Sequence, residues 1–427
     1  MPRELPVRVV HDPSARFTHF GHRVTRAPDL TVTLVPMATD DAVHAQMFGG
    51  CLPELAGGPH AARLPVKPSV LRAATARLCA LWNDLLVGHE PLDDHGRPAA
   101  GRPRNPYKDL ADLSDQPEAE LTGILEELAL VGTGLLWDVL LGSEQRPVRL
   151  FRGYLLNALS GRGLRLRFDS DLPVPWPMLC LPPDAAGPQG LDGLFDRYLG
   201  HRHQIEQTLG TYPMATGPVA ARRRPTVSLN HDTTVGRRCR SQVAEVAAAL
   251  AQDTDFVERT TRKALLDDLA RPELDEQLMY FWCHGYFLSH GSQPPHLAVK
   301  LTDAVHIDAR SVAERRKAFG ESTPFQPFVF LNACHAGLAG ETLERPYLGR
   351  ALIESGAQGV LGPLIEMPQV FAAEYARVFV TRYLEGVETA GEIAHDLARH
   401  FAGKFRNPLG LAYALHRGMD SRLERAR

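Results

Sequence analysis

The chain has 427 residues, a net charge of −3 and ordinary apolar and charged fractions. These values exclude a disordered chain and leave no basic footprint for nucleic acid or a membrane surface. Its six cysteines, Cys51, Cys79, Cys180, Cys239, Cys283 and Cys334, contain no C-x-x-C pair, so neither a disulfide framework nor a zinc knuckle is expected.

Arginine outweighs lysine, the bias of a GC-rich bacterial genome. The opening "MPRELPVRVVHDPSARF" lacks the apolar centre of a signal peptide, and no apolar run reaches the ~18 residues needed to span a bilayer. A soluble cytoplasmic protein is the expectation. In chain order, "LTVTLVPM" (30–37) reads as a strand, and 68–87 and 119–141 read as helices. The second helix carries acids at helical spacing, so it is amphipathic. Between them lies 88–110, rich in Gly, Pro and charge, which reads as a loop or mobile insert. "LRLRFDSDLPVPWPMLCLP" gives an alternating strand at 164–168 and a proline-punctuated turn around Trp176. The stretch 212–226 has no hydrophobic period and contains Arg222-Arg223-Arg224. It divides an N-terminal region, 1–215, from a domain at 220–427.

The second part is more regular. "TVSLN", "DFVER", "LMYFWC", "HLAVKL", "FVFLNAC" and "GVLGPL" read as strands. Helical periods fall between and after them, at "RSQVAEVAAALAQ", "TRKALLDDLA", "DARSVAERRKAF" with Asp308 as N-cap, 346–355, 369–385 and 389–402. Strands alternating with helices predict an α/β fold with a mostly parallel sheet. Strands apolar throughout, such as "LMYFWC" and "FVFLNA", belong at its centre, buried on both faces.

Two of these strands run into reactive residues. "LMYFWC" leads to His284-Gly285 and "FVFLNA" to Cys334-His335. In a parallel sheet both tips lie on the carboxyl edge, where open α/β sheets hold their ligands. Strands ~4.8 Å apart bring two such tips to one substrate atom. A thiolate is a nucleophile and a neighbouring imidazole its proton acceptor, so Cys334 and His284 make a candidate catalytic pair. Gly285 allows close approach of a carbonyl, and its N–H with that of Cys334 makes a candidate oxyanion hole.

The order strand, His-Gly, 50 residues, strand, Ala-Cys resembles the caspase-type cysteine peptidases. In detail it is similar to the CHAT domain of that clan. "YFWCHG" resembles its histidine strand, "FVFLNACHAG" its nucleophile strand, "LIESGAQGVLGPL" the segment after it and "DSDLPVPWPMLCLP" the upstream turn. The resemblance spans roughly 150–427. It implies a caspase-like three-layer fold, a His284–Cys334 dyad with Gly285 in the oxyanion hole, and no metal or organic cofactor. It further implies cleavage of a protein substrate, with latency until an activating partner or a signal-bound sensor acts, in bacterial antiviral defence or regulated cell death. No nucleic acid or membrane partner is implied, and the N-terminal region is either a degenerate caspase-like unit or a docking layer. Metacaspases carry Asp two places before the nucleophile where this chain has Asn332. That leaves the residue preferred at the cut open, with Asn332 and His335 as candidate pocket residues.

Other readings stay open. Cys283, beside Trp282, reads as a core cysteine. His290, His296, His306 and His335 near two cysteines allow a zinc site, though no metal spacing matches. Arg222–Arg224 reads as a solvated linker or a processing site. The glycines of "ACHAGLAG" lack the lysine of a phosphate loop. Against the peptidase stand two alternatives: a catalytically silent interaction scaffold, and a cysteine acyl hydrolase acting on esters or thioesters.

Overall fold

The computed structural model describes residues 26–37, 41–53, 60–91, 97–98, 101, 104–183, 189–208, 217–237, 239–288, 296–317, 325–337 and 347–426. The N-terminal region opens with an antiparallel meander of β1 (Leu30–Met37), β2 (Ala42–Phe48) and β3 (His60–Leu64). Helices α1 (Pro68–Trp82), α2 (Glu118–Gly134) and α3 (Arg146–Leu159) follow. Proline opens α1 and falls in the first turn of α3, where its missing N–H costs no helical bond. Both α1 and α2 run on through a wider turn, to Val87 and Leu140. Next come β4 (Arg165–Ser170), the short helices α4 (Gly190–Phe195) and α5 (Leu199–Arg202), and β5 (Gln204–Thr208).

The second half begins with β6 (Pro218–Ala221), β7 (Thr226–His231), α6 (Arg240–Ala251), β8 (Asp255–Arg259), α7 (Arg262–Leu269) and β9 (Leu278–Trp282). A hairpin of β10 (His284–Leu288), β11 (His296–Lys300) and β12 (His306–Asp308) intervenes before α8 (Ala309–Arg316). The chain continues through β13 (Phe328–Asn332), α9 (Leu348–Glu354), β14 (Gly359–Pro363), α10 (Gln369–Glu385) and α11 (Ala390–Phe405). It closes with β15 (Tyr413–His416) and β16 (Arg422–Arg425). Asp308 caps α8 as expected, its carboxylate accepting the Ser311 N–H at 2.8 Å.

Eleven of the described strands form one sheet in the order β3-β2-β1-β4-β5-β15-β14-β13-β9-β7-β8. The strands from β14 to β8 are mutually parallel, as are β15, β5, β4 and β1. The two groups run in opposite directions and meet at the antiparallel pair β14–β15. The expected α/β class with a mostly parallel sheet is therefore present, and strands of both regions, 1–215 and 220–427, enter it.

Alternation along β9 and β13 explains why their runs are apolar throughout. Leu278, Tyr280 and Trp282, with Phe328 and Phe330, pack in one core with Val246 and Leu250 of α6 and Phe371, Tyr375 and Phe379 of α10. Met279, Phe281, Val329 and Leu331 pack in a second core with Leu265 of α7, Val312 of α8 and Leu352 of α9. Each face thus has its own helical cover, giving three layers. Burying side chains of this size stabilises the fold by about 1.5–3 kcal/mol each before entropy is counted.

Two expectations need correction. "HLAVKL" forms β11, which belongs to the separate antiparallel sheet β10-β11-β12 and not to the parallel sheet. His284 does not close β9; pairing stops at Trp282, Cys283 makes a bend, and His284 is the first residue of β10. Among the described residues, no helix is long and apolar enough to cross a membrane.

Candidate active site

Strand register brings the two reactive tips to one level. β9 and β13 pair from Leu278↔Phe328 to Trp282↔Asn332. His284 and Cys334 each follow that last pair by two residues, so parallel pairing delivers both to the same edge. Beyond it the chains part. β9 bends through Cys283 into β10, while β13 breaks into a turn in which the Ala336 N–H donates to Ala333 O at 3.1 Å. His335 occupies the left-handed region at φ 62°, uncommon for a residue with a Cβ. Its N–H reaches Ile365 O at 3.3 Å and the Gly337 N–H reaches Pro363 O at 2.8 Å, which ties the turn to the end of β14.

The tips touch at Gly285. A Cβ there would lie 2.1 Å from the Cys334 carbonyl oxygen and 3.1 Å from its backbone nitrogen. No side chain fits, so the glycine of the His-Gly pair is a packing requirement of the Cys334 backbone.

A cleft of about 440 Å³ opens beside these tips, lined by His284 and Cys334 together with Glu366 and Met367 of the β14–α10 loop. Arg237, after β7, lines it too. Val87, Lys108 and Asp109 of the N-terminal region form part of its wall, so both regions of the chain build it. The segment holding Lys108 and Asp109 is the one read from sequence as an insert.

Cys334 is partly buried, and its surroundings disfavour ionisation of the thiol. Burial raises its pKa most, and the Glu366 carboxylate adds to that; hydrogen bonds from the Met367 N–H and the cysteine's own N–H act the other way. His284 is exposed. Cys283 is buried in the second core, and its thiol is pushed far up by burial, then by Asp232 and Cys334. It is an inert thiol of the core.

The remaining sequence candidates fall out as follows. Asn332 lines the cleft but is only 5% exposed, and its amide is committed. It donates to Tyr280 Oη at 3.1 Å and Ala372 O at 3.0 Å, and accepts from Tyr413 Oη at 3.0 Å. The His335 ring lies 5.4 Å from that of Phe287, and burial lowers its pKa while Glu366 and the Leu364 carbonyl raise it. His296 faces Asp308 at 3.5 Å and His306 bonds Tyr286, both within the side sheet; His290 lies outside the described residues. No group of three or more metal-binding side chains occurs among the described residues. Arg222 pairs with Asp275 at 3.2 Å and Arg224 with Asp255 at 3.4 Å. The glycine stretch after Cys334 lies outside the described residues from 338 onward.

Glu366, Met367, Lys108 and Arg237 were not legible in the sequence. They reach the cleft from loops far apart in the chain, and no motif spacing links them to His284 and Cys334.

No family model matches the chain, and no curated protein sequence matches it. Two crystal structures of the separase–securin complex of Saccharomyces cerevisiae, at 2.6 and 3.0 Å resolution, are similar to it at 11% identity, with TM-scores of 0.48 and 0.44. Each alignment covers 92% of this chain and 30% of the other, so the chain spans under a third of the length of that protein.

Proposed function

We propose that the chain is a caspase-like cysteine endopeptidase acting through His284 and Cys334, latent until a partner protein or signal rearranges the site. The observation that carries this reading is the β9–β13 register, which sets both residues two places past the pair Trp282↔Asn332, on one cleft. The close packing of Gly285 on the Cys334 backbone supports it further.

In the reaction, the Cys334 thiol gives its proton to His284 and the sulfur attacks the substrate carbonyl carbon. Backbone N–H groups at Gly285 and Cys334 accept the role of oxyanion donors. Collapse of the adduct breaks the C–N bond as His284 returns its proton to the leaving amine, and water then hydrolyses the thioester with His284 as base. Latency is supported by the surroundings of the thiol, since burial and the Glu366 carboxylate raise its pKa. A place in bacterial defence or regulated cell death rests on the family resemblance alone.

The test is a proteome-derived peptide library incubated with the wild type and Cys334→Ala, with cut sites read by mass spectrometry. Cuts that vanish in the variant are expected, with a melting temperature close to wild type because little volume is removed. Hydrolysis of small thioesters without any peptide cleavage would favour the acyl hydrolase. Identical profiles for both proteins leave latency or a silent scaffold, and identical profiles with an activating partner present would favour the scaffold.

A further inference from the structure

From Pro363 to Glu366, each residue of the chain leaving β14 is held by a hydrogen bond. Pro363 O accepts the Gly337 N–H at 2.8 Å and Ile365 O accepts the His335 N–H at 3.3 Å, so two bonds join this loop to the turn that carries Cys334. Between them the Leu364 N–H donates to Ala412 O at 2.7 Å. These three bonds lie within the half of the chain that holds His284 and Cys334. The fourth comes from the N-terminal region, where Asn83 Oδ1 accepts the Glu366 N–H at 3.0 Å.

Asn83 opens the wider turn that ends α1, Asn83–Val87, in which the Gly88 N–H reaches back to Asn83 O at 2.7 Å. Such turns interrupt the regular helical ladder and recur at functional sites. Val87, the last residue of the turn, lines the cleft with Glu366, Met367 and Cys334. One turn of the N-terminal region therefore both walls the cleft and pins the loop beside the candidate nucleophile. Glu366 is exposed, so water can replace Asn83 at its N–H, and a single hydrogen bond exchanged for water has a modest net worth. This bond can open without unfolding the chain, while the other three keep the loop on the sheet.

We infer that Asn83 is a positioning residue that latches the β14–α10 loop beside Cys334. A partner that draws the α1 turn back releases Glu366 and Met367 and opens the partly buried thiol to substrate. The inference deepens the latent-peptidase reading above and rests on it for the substrate. The latch itself is read on the thiol.

The test follows alkylation of each cysteine of the full chain by iodoacetamide at neutral pH, read by mass spectrometry. Cys51, in the N-terminal region, is also partly buried and reports any general loosening. Asn83→Ala should speed alkylation of Cys334 roughly three- to tenfold, the change in open population expected from losing one hydrogen bond. Cys51 should keep its wild-type rate. Asn83→Asp retains an acceptor oxygen and should stay close to wild type at both cysteines. A Cys334 rate that is unchanged or slower in Asn83→Ala, that rises together with Cys51, or that is as fast in Asn83→Asp overturns the latch and leaves the peptidase standing. Faster alkylation confined to Cys334 of Asn83→Ala, in a chain that cuts no library peptide, keeps the latch and counts against the peptidase.

Discussion

At Cys334, burial and a nearby carboxylate oppose the ionisation that nucleophilic attack requires. Thiolate is the reactive form, so alkylation of Cys334 by iodoacetamide should climb with pH and continue climbing past the range of an ordinary free cysteine. Glu366→Gln removes one of the causes. It should shift that profile to lower pH. A profile that ignores the substitution would show that Glu366 does not reach the thiol. Gly285→Ala offers a second check. With the new Cβ 2.1 Å from a backbone oxygen, the strand tips must separate, and about 1–3 kcal/mol of stability should go, seen as a lower urea midpoint. Loss of Cys334-dependent cleavage should accompany it. His284, Gly285 and Cys334 could be proposed from the sequence because each sits at a fixed offset from an unbroken apolar strand. Glu366 could not, because its place on the cleft depends on where a loop folds and not on any local pattern.

The elements most readily read were those with a strong period or a continuous apolar run. β1, β7, β8 and β13 lie where hydrophobicity places them, and α10 and α11 follow their helical period. β5 was missed for a physical reason. "QIEQT" is polar, and its Glu206 is buried only because Arg167 on β4 meets it at 2.7 Å and the Met419 N–H at 3.0 Å. The sequence around residue 206 contains neither partner. The three-way bonding of Asn332 at the end of β13 is another such device. Asn332→Ala leaves the hydroxyls of Tyr280 and Tyr413 without that amide inside the core. A loss of roughly 1–3 kcal/mol is expected, and guanidinium unfolding monitored by tyrosine fluorescence would measure it. A variant as stable as wild type would mean that water replaces the amide.

At the scale of the molecule, the buried histidines His203 and His416 and the partly buried His201 set the acid limit. Burial lowers the pKa of His201, His203 and His416 from 6.5 to about 4. His203 is fixed as the neutral tautomer, its Nδ1 accepting the Leu164 N–H at 3.3 Å while Nε2 donates to Leu159 O at 3.0 Å. His416 on β15 donates to Gly337 O at 2.7 Å, joining the sheet's antiparallel seam to the turn that carries Cys334. The unfolded chain takes up protons first as pH falls, so stability is full above about 6.5 and is lost between 6.5 and about 4. Each depressed group contributes on the order of 3 kcal/mol to that loss. Urea midpoints measured at pH 7, 6 and 5 should decline steadily, and His416→Gln should flatten the decline. A midpoint constant across that range would contradict neutral burial.

The antiparallel pair β14–β15 has one more consequence. Because the sheet reverses direction there, the carboxyl ends of β1, β4 and β5 lie on the rim opposite the one that carries His284 and Cys334. The sheet therefore presents strand carboxyl ends on two opposite rims. A molecule seated on the far rim takes no space from a peptide at the thiol. Any influence between the two has to pass through the sheet as a coupling free energy, and thermodynamic reciprocity makes it equal in both directions. An occupant of the far rim that tightened peptide binding tenfold would itself be held ten times more tightly once the peptide was in place.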